Sequence, residues 1–179
     1  MLTIGDKFPS FNLKAVTKNN HDNDFPVLNE KDQQGKWKVY FFWPKDFTFI
    51  CPTELMGFDE LYQEFQKRNA QVYGCSTDSE YAHLAWRNNH PGLKNLPYPM
   101  LSDIKKELSD HLGILHHHEG VCLRATYIVD PEGTIRHVSV NDLEVGRNTE
   151  EILRILDGLQ SKGLCGCNWK PGEAHINAA

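Results

Sequence analysis

Five consecutive apolar residues, Val39-Tyr40-Phe41-Phe42-Trp43, stop at Pro44, and seven residues later Cys51 stands directly before Pro52, where a helical pattern begins. A run of this length rich in aromatic and β-branched residues reads as a buried strand. Proline is tolerated in the first helical turn, because the N–H it lacks has no intrahelical partner there, so Pro52 sets Cys51 at or beside a helix N-terminus. A thiol in that place faces unpaired N–H groups and the positive end of the helix dipole, which favour the reactive thiolate. The stretch therefore predicts strand, turn, cysteine, helix.

The remaining chain supplies partners for that unit. Lys7 to Val16 alternates weakly and, with Pro9, suits an edge strand or hairpin. Residues 17–36 are polar, with Asn19-Asn20, Asp22 to Asp24 and Gln33-Gln34-Gly35, and read as a long loop. After Cys51, Leu55, Phe58, Leu61, Tyr62 and Phe65 recur at helical spacing as far as Arg68. Ala70 to Thr77 predicts a second strand, Ser79 the cap of a helix through Trp86, and Tyr98 to Asp103 a short extended piece. A helix from about Lys105 to Leu112 closes at Gly113. Leu123 to Val129 and Thr134 to Val140, joined by Asp130-Pro131-Glu132-Gly133, form a hairpin. Asn148 or Thr149 caps a last amphipathic helix carrying Ile152, Leu153, Leu156 and Leu159, which ends at Gly163 before a polar tail. Alternating βαβα followed by a hairpin and helix implies an α/β protein with a mixed sheet flanked by helices, the element order of the thioredoxin fold. In open α/β sheets sites form at the C-terminal ends of strands, and Cys51 follows one.

A chain of 179 residues fits one domain with its own core. Its net charge of −5, without a basic block, gives no support to nucleic-acid binding. No apolar run approaches membrane-spanning length, and Met1 to Lys7 lacks the apolar core of a signal peptide, so a cytoplasmic location is expected. Five cysteines, an odd count, do not fit a disulfide framework. Cys75 and Cys122 lie in apolar strand contexts and read as core thiols.

Pro44-x-x-x-Thr48-x-x-Cys51 resembles the signature of the peroxiredoxins, and the longer run from Phe42 to Glu54 is similar to the alkyl hydroperoxide reductase C type. Ser76-Thr77-Asp78-Ser79, His83-Leu84-Ala85-Trp86, Leu101-Ser102-Asp103 and Arg124 to Asp130 match as well, so the resemblance spans nearly the whole chain. It implies a thioredoxin-like domain over residues 1–160, with an N-terminal hairpin, and a tail over residues 161–179. It makes Cys51 the peroxidatic cysteine, attacking one peroxide oxygen to give a sulfenic acid. Thiolate formation alone cannot supply the rate. Lowering a thiol pKa from ~8.5 to ~6.5 raises the thiolate fraction near neutral pH roughly tenfold. A Brønsted slope of ~0.4–0.5 takes back about as much in nucleophilicity. Groups that position the peroxide and stabilise charge on the leaving oxygen must do the rest. The resemblance assigns this to Thr48 and Arg124, with Pro44 shielding the thiolate and Glu54 orienting the arginine.

In the tail, Leu164-Cys165-Gly166-Cys167-Asn168-Trp169 resembles the resolving segment of two-cysteine peroxiredoxins, in a subgroup with a Cys-x-Cys tail. Either Cys165 or Cys167 could condense with the sulfenic acid, and the other exchange onward to a reductant. The resemblance implies an intersubunit disulfide, hence a homodimer, with rings of dimers common in the family. It implies an alkyl hydroperoxidase D-like or thioredoxin-like reductant, no cofactor and no metal. The alternative function is a holdase-type chaperone, which unlike peroxidase activity survives loss of Cys51. His116-His117-His118 could suggest a metal site, but consecutive residues cannot all face one ion in regular structure, and a solvated loop is expected.

Overall fold

In the computed structural model, residues 1–18 and 24–177 are described; Asn19, Asn20 and Asp22 of the polar stretch, and the last two residues, lie outside them. The described chain forms strands β1 (Asn12–Val16), β2 (Val27–Asn29) and β3 (Trp37–Phe42), helices α1 (Cys51–Glu60) and α2 (Tyr62–Lys67), and β4 (Ala70–Ser76). There follow α3 (Glu80–Asn89), β5 (Met100–Ser102), α4 (Glu107–Leu112), β6 (Arg124–Val129), β7 (Ile135–Asn141) and α5 (Thr149–Gln160). The strands make a seven-stranded mixed sheet in the order β2-β1-β5-β4-β3-β6-β7. The apolar run is its centre: β3 pairs in parallel with β4, Val39 opposite Val72 and Phe42 opposite Cys75, and antiparallel with β6.

Burial on both sides explains why that run is continuously apolar. Val39, Phe41 and Trp43 face one core with Leu55, Phe58, Phe65, Trp86 and Leu156 from α1, α2, α3 and α5. Tyr40 and Phe42 face the other, with Phe8, Phe11, Tyr73, Leu108 and Tyr127. Ring pairs lock each side: Phe41 stacks on Phe58 at 4.1 Å and Tyr40 on Phe8 at 4.2 Å. Truncating Phe41 to alanine at such a place costs about 3–5 kcal/mol.

Local signals also hold where their chemistry is visible. The Ser79 hydroxyl accepts from Ala82 N at 3.2 Å and the Asn148 side chain from Glu151 N at 3.1 Å, so Asn148 rather than Thr149 caps α5. Gly113, at φ 71°, ends α4, and the Asp130–Gly133 turn is closed by Asp130 Oδ1, which accepts from Glu132 N at 3.1 Å and Thr134 N at 2.8 Å.

Other expectations are corrected. Within the stretch read as a loop, Val27–Asn29 is the edge strand; β1 pairs antiparallel with it, which is the hairpin alternative, and is interior rather than at the edge because β5 pairs on its other side. A three-residue strand held by backbone bonds leaves no side-chain period to read. The helix expected from Cys51 to Arg68 breaks at Leu61, φ −97° and ψ 3°, through which the apolar spacing continues unmarked. α4 begins at Glu107 rather than Lys105, because Lys106 adopts a left-handed conformation, and α5 ends at Gln160, ahead of Gly163. No helix among the described residues is long and apolar enough to cross a membrane.

Candidate active site

Cys51 is the first residue of α1, after Ile50, whose side chain makes no capping bond, and before Pro52. The connection from β3 is pinned from within. Trp43 Nε1 donates to Asp46 Oδ1 at 2.8 Å, and Asp46 Oδ2 lies 2.7 Å from His83 Nδ1 on α3. His83 Nε2 stands 3.1 Å from the Leu101 carbonyl, which can only accept, so the ring bridges the Asp46 loop to β5. Burial raises the Asp46 pKa above its ordinary value. Asp46 N donates to Asp78 Oδ2 at 3.0 Å, tying the same loop to the end of β4. Phe47, beside this anchor, sits at φ 56°, a conformation that costs about 1–3 kcal/mol and persists only where its surroundings enforce it.

The Cys51 thiol is fully buried, and Arg124 Nη1, at the start of β6, donates to its Sγ at 3.5 Å. The same nitrogen donates to Glu54 Oε2 at 2.5 Å, and Arg124 Nε to the Leu143 carbonyl at 2.8 Å. Glu54 lies one turn after Cys51, so a single helix face presents thiol and carboxylate together. Its other oxygen accepts from Arg147 Nε at 2.9 Å and Arg147 N at 3.1 Å. Arg147 is itself buried, donating to the Ala125 carbonyl and Thr126 Oγ1 at 3.1 and 3.2 Å and to the Phe42 carbonyl, its guanidinium 5.4 Å from the Phe41 ring centre. Burial lowers the Arg147 pKa, against the pull of Glu54. Arg147 has no mark in the sequence; Asp46 and His83 fall within segments that carry the resemblance, but nothing local says that they pair.

A pocket of about 270 Å³ opens over the thiol, lined by Pro44, Lys45, Thr48, Phe49, Ile50, Cys51, Val121, Arg124 and Leu143. It gathers Pro44, Thr48, Cys51 and Arg124, with Glu54 behind. The Thr48 hydroxyl donates to the Lys45 carbonyl at 2.9 Å, which leaves its lone pairs for an incoming donor.

The tail thiols stand elsewhere. Cys165 Sγ lies 3.4 Å from Ser161 Oγ and packs over Gly158 of α5; Cys165 and Cys167 are exposed and every cysteine is free. Trp169 fixes the segment: it is buried, accepts at its carbonyl from Arg154 at 3.0 Å, donates from Nε1 to the Glu173 carbonyl at 3.1 Å and stacks on His175. Cys75 and Cys122 are wholly buried in the second core, where desolvation raises both pKa values, that of Cys122 to about 12. His116 Nδ1 accepts from His118 N and Glu119 N at 3.4 and 3.2 Å, and no group of three metal-ligating side chains converges among the described residues.

The model of the AhpC/TSA family matches residues 4–138. The chain belongs to this family. Alkyl hydroperoxide reductase C of Mycolicibacterium smegmatis is 49% identical, over 99% of this chain and 95% of its own. Among solved structures, Mycobacterium tuberculosis AhpC superimposes with a TM-score of 0.87 at 49% identity, covering 95% of this chain and 99% of its own. The reduced 2-Cys peroxiredoxin of Plasmodium vivax does so with a TM-score of 0.90 at 36% identity, over 98% and 93%. This AhpC/TSA member has the thioredoxin-like peroxiredoxin fold, with the buried cysteine at the C-terminal end of the central strand.

Proposed function

We propose that this chain is a thiol-dependent peroxidase that reduces hydrogen peroxide and organic hydroperoxides at Cys51, an antioxidant activity. The observation that carries this reading is the Arg124 guanidinium, 3.5 Å from a buried sulfur and held by a carboxylate on the same helix. The Cys51 thiolate attacks the nearer peroxide oxygen; the O–O bond breaks, sulfur is oxidised to sulfenic acid, and the departing alkoxide or hydroxide takes a proton to leave as alcohol or water. Arg124 offers fixed donors to the charge moving onto the leaving oxygen, and Thr48 offers a hydroxyl oxygen to the peroxide proton. Pro44 keeps bulk water from the sulfur, which strengthens both contacts.

The sulfenic acid then condenses with Cys165 or Cys167 of a second copy, forming a disulfide and releasing water. Two features support the second copy: neither tail thiol touches Cys51, and among the described residues β7 leaves one long side unpaired at the end of the sheet. Because Cys51 is buried, the first turn of α1 must open for that step, and it lacks a side-chain cap to resist. Residues 1–160 thus act as the peroxidase domain and 161–179 as the resolving tail, in a cytoplasmic homodimer able to build rings and regenerated by an alkyl hydroperoxidase D-like or thioredoxin-like dithiol. One equivalent of hydrogen peroxide should give a dimer band on non-reducing gels in the wild type and in one of Cys165→Ser and Cys167→Ser. Its persistence in Cys51→Ser would refute the assignment.

A further inference from the structure

The mouth of the pocket carries a charge that the chemistry at sulfur does not use. Lys45 lines the pocket with Cys51 and Arg124, and its Nζ lies 3.3 Å from Glu119 Oε2. Both side chains are half exposed, 52% and 51%. Glu119 is set at the rim by a short turn, closed by Gly120 N donating to the His116 carbonyl at 2.9 Å and His116 N to the Val121 carbonyl at 2.8 Å. Val121 is itself part of the wall, and Ile50, Leu143 and the 94% exposed Phe49 complete an apolar rim. At about 270 Å³ the space far exceeds what hydrogen peroxide fills, so the rim has room to meet a carbon chain.

A single-contact ion pair in water is screened and contributes little net free energy. An anionic group on a substrate can therefore take the place of Glu119 on Lys45 at almost no cost, whereas an uncharged substrate gains nothing there. We infer that Lys45 and Glu119 form a charge-selective rim for organic hydroperoxides that carry a carboxylate, the class of hydroperoxy fatty acids. The hydroperoxide lies at Cys51 and Arg124, the chain along Ile50, Val121 and Leu143, and the carboxylate on Lys45; Glu119 competes for the same cation and holds the selectivity down. This rests on Cys51 being the peroxidatic cysteine.

The test compares hydroperoxyalkanoates of increasing chain length with their methyl esters, which differ only in the charge. For the wild type, Lys45→Gln and Glu119→Gln, the rate constant for Cys51 oxidation by each acid is divided by that for its ester, so that any general damage to the loop cancels. Lys45→Gln should lower the ratio and Glu119→Gln raise it, each by roughly twofold to fivefold, the range exposed pairs give. Both changes should shrink at high salt. Unchanged ratios, or ratios moving the same way in the two variants, overturn the selective rim while peroxide reduction itself persists. Failure of the wild type to consume either acid or ester overturns the peroxidase reading instead.

Discussion

Replacing Glu54 by glutamine removes the carboxylate that Arg124 and Arg147 share and leaves two guanidinium groups facing each other across a neutral amide. The ionic bonds that disappear are those from Arg124 Nη1 at 2.5 Å and Arg147 Nε at 2.9 Å, in surroundings where all three side chains are nearly inaccessible. Breaking a buried pair by removing one partner costs about 3–5 kcal/mol. For a protein of this size that lowers the melting temperature by roughly 6–20 °C. Activity should fall for a separate reason. A charge-assisted hydrogen bond is worth about 1.5–3 kcal/mol, so an Arg124 no longer held over the sulfur should slow peroxide reduction by roughly 10- to 150-fold. Stopped-flow measurement of Cys51 oxidation under excess peroxide gives the rate, and thermal denaturation gives the stability. Glu54→Asp, which keeps the charge but withdraws it by one methylene, should fall between, and serves if the glutamine variant does not fold. A glutamine variant with wild-type rate and wild-type melting temperature would refute the view that this carboxylate orients the arginine.

Arg124→Met should slow peroxide reduction by more than its effect on the Cys51 pKa accounts for; rates across a pH series that reduce to a shifted titration alone would contradict this. Cys122 keeps its proton in the folded chain to about 12, whereas in the unfolded chain a thiol ionises near 9, so stability is lost as pH rises through that window, by about 1.4 kcal/mol per pH unit for this group. Cys122→Ala should flatten the alkaline limb of a stability profile from denaturant melts by that slope, and an unchanged limb would count against burial as the cause. Asn148→Ala removes the acceptor for Glu151 N and should cost about 1 kcal/mol in the same assay, with peroxide reduction largely preserved.

What is legible in the sequence is what neighbouring residues encode. The run Val39 to Trp43, the Cys51-Pro52 step, the Ser79 and Asn148 caps and the Asp130–Gly133 turn each act within a few positions of themselves, and each is where the pattern puts it. Arg124 and Glu54 are found through resemblance rather than spacing. What stays hidden depends on the chain folding back: Arg147 meets Glu54 across 93 positions and His83 meets Asp46 across 37, and an arginine or histidine destined for burial looks in sequence like one destined for water. The strand at Val27–Asn29 is hidden differently, since its pairing is made by main-chain atoms that every residue shares. The tail thiols are singled out by resemblance, but nothing in Cys165-Gly166-Cys167 says that Cys165 rests on α5.

For those thiols Trp169 sets a limit. With its ring buried and its carbonyl bound to Arg154, it acts as a mooring point from which Cys165 is four residues away and Cys167 two. Four extended residues reach no more than about 14 Å. So long as the ring stays seated, the thiols are held on a leash, and within a docked pair of chains their local concentration is fixed by that radius and not by how much protein is dissolved. Whether a given Cys51 falls inside the radius is then a matter of how two chains are docked, and loosening the mooring exchanges concentration for reach.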